Sequence, residues 1–402
     1  MKSVDEKVRK HKAVGLLSGG LDSILTCRMM LEQGIEVIAV NFTSPFCTCT
    51  RKGCRHQASK VAEELGIEIK LLPTGQEYIE MVKHPKHGRG RNMNPCIDCR
   101  IFTFTRARVF ADEIGADFVF SGEVLGERPM SQHMKALLII EKESGLEGRL
   151  LRPLSAQLLE PTIPEKTGIV DRGKLLQVQG RCRQPQMQLA AGFGMTDYPC
   201  PAGGCLLTDR QFATRLRDAF AHGEDKVRDM QFLKLGRHFR LPSGTKVIVG
   251  RNETENEMLR SLTQESDLII EAQDVVGPVT VVRSLRDRVK PQVNTSERES
   301  GRKEQPVNAS ERHPEEPQIS LGSRPCTGEK PVLRHDTNPP NLRNLRLSCG
   351  DIELAARICA RYCDGKDSGN VRFKVGEQEI VVQPMSETEL AALRVGGGKD
   401  PQ

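Results

Sequence analysis

Two stretches of this chain carry residue types that do chemistry. The first is Ser18-Gly19-Gly20-Leu21-Asp22-Ser23, which follows the apolar run "KAVGLL" and opens the helical pattern "LDSILTCRMMLEQG". Glycines let a backbone come close to a ligand and turn several amides toward it. A helix N-terminus adds the positive end of its dipole. Ser18 and Ser23 supply hydroxyl donors, and Asp22 is placed to cap the helix or to hold Mg²⁺. Such a set suits a pyrophosphate group. A glycine turn with a Ser/Asp cap explains an isolated Ser-Gly-Gly equally well; the whole motif between strand and helix favours the anion. The Gly-Lys-Ser/Thr ending of the other common phosphate loop is missing.

The second stretch is a set of thiols. Cys96 and Cys99 form a CxxC in "RGRNMNPCIDCRIFTF", and Cys200 and Cys205 lie far downstream in "DYPCPAGGCLLTDRQFATRL". Two thiolates suffice for sulfur delivery, one holding a persulfide and the other resolving it by exchange. Three suffice to bind three irons of a cubane cluster and leave the fourth open. A CxxC alone also serves zinc or redox chemistry, or is a structural thiol pair. Cys47, Cys49, Cys54 and His56 lie within ten residues in "FCTCTRKGCRH", an uncommon spacing for zinc. A thiol-rich loop accounts for them as well. Cys359 and Cys363 stand four apart on an expected helix and read as small apolar fillers.

Elements must position these groups. "KAVGLL", "IEVIAVNF", "IEIKLL" and "DFVFSGEV" read as buried strands, and helical patterns such as "CRHQASKVAEELG" and "RVFADEIGA" alternate with them. Alternation of this kind predicts an α/β fold with a parallel sheet covered on both faces. Ligands in such sheets sit at the carboxyl ends of strands. Ser121, Gly122 and Glu123, which end the fourth strand, are therefore expected to line a nucleotide. Arg128 is expected to meet a phosphate. His84, His87 and the run "KHGRGR" are candidates for RNA phosphates, with a solvated charged loop as the plainer alternative.

A first domain is expected over residues 1–222. A second, smaller α+β domain is expected over 223–285 and 346–390, with short strands, a helix from about Glu253 and a hairpin turning at Gly376. Between Arg286 and Leu345 the composition turns to Pro, Ser, Asn, Glu and Arg. Such a segment buries too little surface to offset its ordering entropy, so 286–345 reads as a disordered insertion.

The chain has 402 residues, 37% of them hydrophobic, a net charge of +6, three tyrosines and no tryptophan. Stacking of bases on exposed aromatics is thus not expected to dominate. The charge permits a nucleic-acid partner without requiring one. The polar start "MKSVDEKVRKHKAV" lacks a secretory core, and no long apolar run is present, so a cytoplasmic location and no membrane partner are expected. There the 13 cysteines are expected as thiols or metal ligands rather than disulfides.

Ser18 to Ser23 resembles the PP-loop of the N-type ATP pyrophosphatases, which cleave ATP between the α and β phosphates and adenylate a substrate. The resemblance implies a Rossmann-like adenine nucleotide α-hydrolase sheet with ATP and Mg²⁺ as cofactors. "MNPCIDCRIFTF" and "GGCLLTDRQFATRL" are similar to the stretches that carry the two catalytic cysteines of tRNA thiouridine synthases of the ThiI/MnmA type. This places those cysteines at Cys99 and Cys205. "LRPLSAQLLEPTIPEK" and "QMQLAAGFGM" resemble the segment before the second of them, and the likeness runs over roughly residues 12–220. In the cluster-dependent members a CxxC and a distant Cys hold a [4Fe–4S] cluster, which here implies Cys96, Cys99 and Cys205. An RNA-capture domain that usually precedes the loop in the ThiI type and the β-barrel that ends the MnmA type are not evident. "VIVGRNETENEML" is similar instead to the NFACT-R domain, whose proposed role is RNA binding. Gly250, Arg251, Asn252 and Asn256 carry that match, and Arg237, Arg240 and Lys246 lie near it. A strand, a turn and an Asn-capped helix explain the same residues.

The expected function is an ATP-dependent tRNA sulfurtransferase that adenylates a tRNA uridine and replaces its oxygen with sulfur. Asp22, Cys99 and Cys205 are the expected catalytic residues. Ser18, Gly19, Gly20, Asp22, Ser23, Ser121, Gly122 and Glu123 are expected to bind the nucleotide. Expected partners are tRNA and a sulfur donor, a persulfide carrier or sulfide; a homodimer stays open. The alternatives are a PP-loop ligase or sulfur transferase acting on a small molecule, as in thiamine biosynthesis, and a non-catalytic iron–sulfur or RNA-binding protein.

Overall fold

The computed structural model describes residues 10–47, 54–195, 205–284, 347–364, 369–375 and 378–396. The expected insertion at 286–345, Cys49, Cys200 and the turn at Gly376 lie outside them. Five strands form a wholly parallel sheet: β1 (Lys12–Leu16), β2 (Glu36–Thr43), β3 (Glu68–Pro73), β4 (Phe118–Ser121) and β5 (Leu150–Leu151), in the order β3-β2-β1-β4-β5. Helices α1 (Leu21–Glu32), α2 (Cys54–Leu65), α3 (Gly75–Lys83), α4 (Cys96–Glu113) and α5 (Met134–Glu143) alternate with the strands. The chain leaves β1 toward β2 on one side and returns to β4 on the other. The connections that follow β1 and β4 therefore part at the carboxyl ends of the two paired strands, the place where sheets of this kind receive ligands.

The buried strands follow from their apolar runs. Ala13, Val14, Ala39, Val40, Val119 and Phe120 are all sealed from solvent. Gly15 pairs with Phe120 across the sheet, and a Cβ there would meet the Phe120 ring at 2.5 Å. Two cores cover the sheet's faces, one built on Leu17, Leu25, Met30 and Phe118, the other on Val14, Phe104, Val119 and Ile140.

Beyond α6 (Ile163–Lys166) and α7 (Gln184–Gly192), helices α8 (Arg210–Ala221) and α9 (Val227–Phe232) lead into a second sheet. The start of this unit was expected to read as short strands, yet Gln231 and Phe232 close a helix. The second sheet holds β6 (Arg237–Arg240), β7 (Lys246–Val249), β8 (Asp267–Ala272), β9 (Thr280–Arg283), β10 (Val371–Val375) and β11 (Gln378–Val382). Its order is β11-β10-β8-β9-β7-β6, antiparallel throughout. Helix α10 (Glu253–Leu262) and the helix Cys349–Ala360 pack on it, and Cys359 and Cys363 fill its core as small apolar groups.

Helices α8 and α9 share a core with the first unit. Met230 and Leu233 enter the same core as Phe46, Tyr78, Phe212 and Leu216. The boundary expected at residue 222 falls within this shared packing. Lys246, 1% exposed, meets Glu224 at 2.7 Å, and Arg240 meets Glu224 at 2.9 Å.

Candidate active site

The phosphate loop leaves β1 and enters α1. Gly19 turns it with φ +82°, a conformation that favours glycine. The Ser23 hydroxyl donates to the Gly20 carbonyl at 2.7 Å and lies 3.2 Å from the Ser18 hydroxyl. Ser18 Oγ accepts the Gly20 amide at 3.3 Å. The loop is thus held by its own side chains and backbone, and the Ser23 and Ile24 amides both donate to the Gly20 carbonyl, at 3.1 and 3.2 Å.

Gly122, just past β4, closes the other wall. A Cβ there would stand 2.6 Å from the Asp22 carbonyl carbon and 2.6 Å from the Ser23 nitrogen. Ser121 is buried at the end of β4, beside Leu16 of β1. Gly19, Gly20, Ser121 and Gly122 therefore gather just beyond the carboxyl ends of β1 and β4. Glu123 has other partners. It is 2% exposed, lies 3.1 Å from Arg152 and 3.4 Å from Arg100, and thereby anchors Arg100 beside the thiols instead of presenting an open carboxylate.

Asp22 Oδ1 is buried without a hydrogen-bond partner. Its other oxygen lies 3.5 Å from Arg183. Burial pushes the Asp22 carboxyl up from its ordinary value, and Arg183 and Arg128 oppose that shift. Gln186, buried on α7, also faces it. Arg183 and Gln186 come from "GRCRQPQMQ", where nothing in the local pattern marks a nucleotide contact. Only the fold of α7 against α1 brings them in.

The thiols gather at the same edge. Cys96 and Cys99 stand on the first turn of α4. Cys99 is hydrogen-bonded to the Tyr78 hydroxyl at 3.0 Å. Burial pushes the Cys99 thiol up, and the bond to Tyr78 and the charge of Arg100 pull against it. Cys205 is raised to about 12, by burial first and then by the charges of Cys99, Cys96 and Cys47. Its segment is stitched on two sides. Met93 donates to the Leu207 carbonyl at 3.0 Å, and Leu206 donates to the Phe46 carbonyl at 3.0 Å. Cys47 pairs directly with Cys205 in an isolated antiparallel bridge. Among the described residues no three His, Cys, Asp or Glu side chains are placed as ligands of one metal ion.

Other expected contacts take structural roles. His87 lies 3.1 Å from Glu143, and its amide, like that of Lys86, is held by buried Asp98. Arg240 and Lys246 turn inward to Asp218 and Glu224 rather than toward a ligand. Asn252 caps α10 by accepting the Glu255 amide at 3.0 Å. Asn256 accepts the Val279 amide at 3.1 Å, and a Cβ at Gly250 would strike its oxygen at 2.1 Å. Arg251, 43% exposed at its side chain, pairs with Glu255.

Residues 8–160 match the family model for the thiamine biosynthesis protein ThiI. Residues 236–318 and 339–394 match that for the NFACT protein RNA binding domain. The tRNA-specific 2-thiouridylase MnmA of Syntrophotalea carbinolica is 34% identical over 121 residues, 28% of this chain and 34% of that protein. The MnmA of Acidovorax sp. (strain JS42) is 26% identical over 246 residues, 58% of this chain and 61% of that protein. The chain spans about a third of the length of the first curated relatives it matches. Among solved structures, a 4-thiouridine synthetase–RNA complex with bound ATP is 23% identical with a TM-score of 0.31, covering 56% of this chain and 52% of that one. The U34-tRNA thiolase NcsA from Methanococcus maripaludis, with its [4Fe–4S] cluster, is 17% identical with a TM-score of 0.28, covering 56% and 71%.

Proposed function

We propose that this chain, which joins a ThiI-type PP-loop region to an NFACT-type RNA-binding region, is an ATP-dependent tRNA sulfurtransferase. The observation that carries the reading is the meeting of the Ser18–Ser23 loop and a half-buried thiol set at one edge of one sheet. The curated relatives, named as tRNA-specific thiouridylases, support tRNA as substrate.

ATP lays its pyrophosphate on Ser18–Ser23, where the amides of α1 and the Ser18 and Ser23 hydroxyls take its oxygens. Arg183 and Arg128 add positive charge beside Asp22. The orphaned Asp22 Oδ1 fits a Mg²⁺ ligand, and the ion would shield phosphate charge when bound. A uridine carbonyl oxygen attacks the α-phosphorus and pyrophosphate leaves. That oxygen is now part of AMP, a good leaving group. A second thiolate at the Cys99 and Cys205 site closes a disulfide with the persulfide-bearing cysteine, the outer sulfur leaves as HS⁻ and attacks the same carbon, and AMP departs. Arg100, held between Glu123 and the thiols, keeps a positive charge next to Cys99.

Cys96, Cys99 and Cys205 would be the three soft donors of a [4Fe–4S] cluster, which when bound would offer an open iron, though as they stand these side chains are not placed around one metal position. The NFACT-type region supplies tRNA binding in this reading. The test is ATP–pyrophosphate exchange with tRNA present and absent. Exchange that requires tRNA supports an RNA substrate; full exchange without it, driven by a small thiazole or amino-acid precursor, would favour a small-molecule ligase.

A further inference from the structure

We infer that Cys47 is a further catalytic thiol of this site, which resolves a persulfide on Cys205 by closing a disulfide with it. The inference rests on the sulfurtransferase reading and on its persulfide chemistry. Cys47 and Cys205 face each other as partners of an antiparallel bridge. Directly opposed residues in such a pair have Cα atoms about 4.5–5.5 Å apart. Disulfides need Cα separations of about 4.4–6.8 Å, a range that covers the spacing of such a pair.

Three further contacts hold the register. The Leu206 amide donates to Phe46 at 3.0 Å, fixing the two segments one residue from the thiols. Lys234 Nζ donates to the Cys47 carbonyl at 2.9 Å, so the second unit braces the same strand. Phe46 itself is buried in the core that receives Cys99 and Cys205. Cys99, by contrast, is engaged by Tyr78 at 3.0 Å on its own helix turn. The bridge thus gives Cys205 a second exchange partner beside the one the sequence motifs name.

In the step, the Cys47 thiolate attacks Sγ of the Cys205 persulfide. The bond from that Sγ to the terminal sulfur breaks, and its electron pair leaves with the terminal sulfur as HS⁻. The Cys47–Cys205 bond forms. The sulfane sulfur is reduced by two electrons and the two thiols are oxidised by two. A dithiol reductant then restores both cysteines.

The experiment treats the full-length protein with glutathione persulfide in the absence of reductant, then alkylates it and maps peptides by mass spectrometry without reduction. The inference expects a linked Cys47–Cys205 peptide in wild type together with released sulfide. It expects Cys47→Ser to retain the extra sulfur on Cys205 and to release sulfide at least tenfold more slowly. It expects Cys99→Ser still to yield the Cys47–Cys205 link. A wild-type link between Cys99 and Cys205 with Cys47 alkylated would overturn it, and so would undiminished sulfide release from Cys47→Ser. Failure of Cys205 to gain sulfur in wild type would overturn the persulfide reading itself, a result distinct from either. The wild-type map needs no variant to fold.

Discussion

Gly122 and Asp22 come from different strands' ends, yet they touch: a methyl group on Gly122 would stand 2.6 Å from the Asp22 carbonyl carbon. That atom is backbone and cannot swing aside. Gly122→Ala must therefore push the loop after β4 away from the start of α1. We expect a stability loss of about 1–3 kcal/mol, the usual cost of overpacking. ATP affinity should fall at least about tenfold, or about 1.4 kcal/mol. Calorimetric titration with a non-hydrolysable ATP analogue measures it, and unchanged affinity would remove Gly122 from the proposed nucleotide site.

The ion cluster of Glu224 with Lys246 and Arg240 predicts an acid response. Burial works to raise the Glu224 carboxyl, but Lys246 and Arg240 outweigh it and hold it at about 2. A carboxylate so lowered stabilises the fold fully above its ordinary value of 4.5 and loses that contribution as pH falls toward about 2. Glu224→Gln should cost on the order of 3 kcal/mol near neutral pH, because Lys246 is left buried without its closest anion. It should also flatten the fall of melting temperature over that acid window. An unchanged acid profile would mean that Glu224 is not held by its two cations.

Cys96 separates two ways of carrying sulfur. With a persulfide relayed through Cys205, Cys96→Ala should thiolate tRNA at close to the wild-type rate. Anaerobically reconstituted protein should then hold no stoichiometric iron. If Cys96→Ala instead loses visible absorbance and thiolation together while keeping ATP binding, a cluster on Cys96, Cys99 and Cys205 replaces the relay.

The Ser18–Ser23 turn was legible because its six residues run consecutively between a buried strand and a helix. The parallel sheet was legible for a similar reason: its apolar runs are local. What the chain order hides is which side chains meet. Arg183 and Gln186 reach Asp22 only because α7 packs on α1. Cys47 faces Cys205 only because two distant loops form a bridge. Arg240 and Lys246 were legible as cations, but their direction was not. Of the acids that turn them inward, Asp218 lies across the expected boundary and Glu224 just inside their own unit, both far from them in the local pattern. The "VGRNETEN" stretch shows the same limit. Asn252 is the helix cap its position suggests, whereas Asn256 reaches across to the Val279 amide, a contact no local pattern announces.

The most direct test of the central claim incubates full-length protein with unmodified tRNA, Mg²⁺·ATP and a persulfide donor, then quantifies nucleosides by mass spectrometry and nucleotides by chromatography. A thiouridine should appear with one AMP and one pyrophosphate for each sulfur added, and Asp22→Ala should abolish all three while remaining folded by circular dichroism. Release of ADP and phosphate, or thiouridine formed equally well by Asp22→Ala, would contradict the claim.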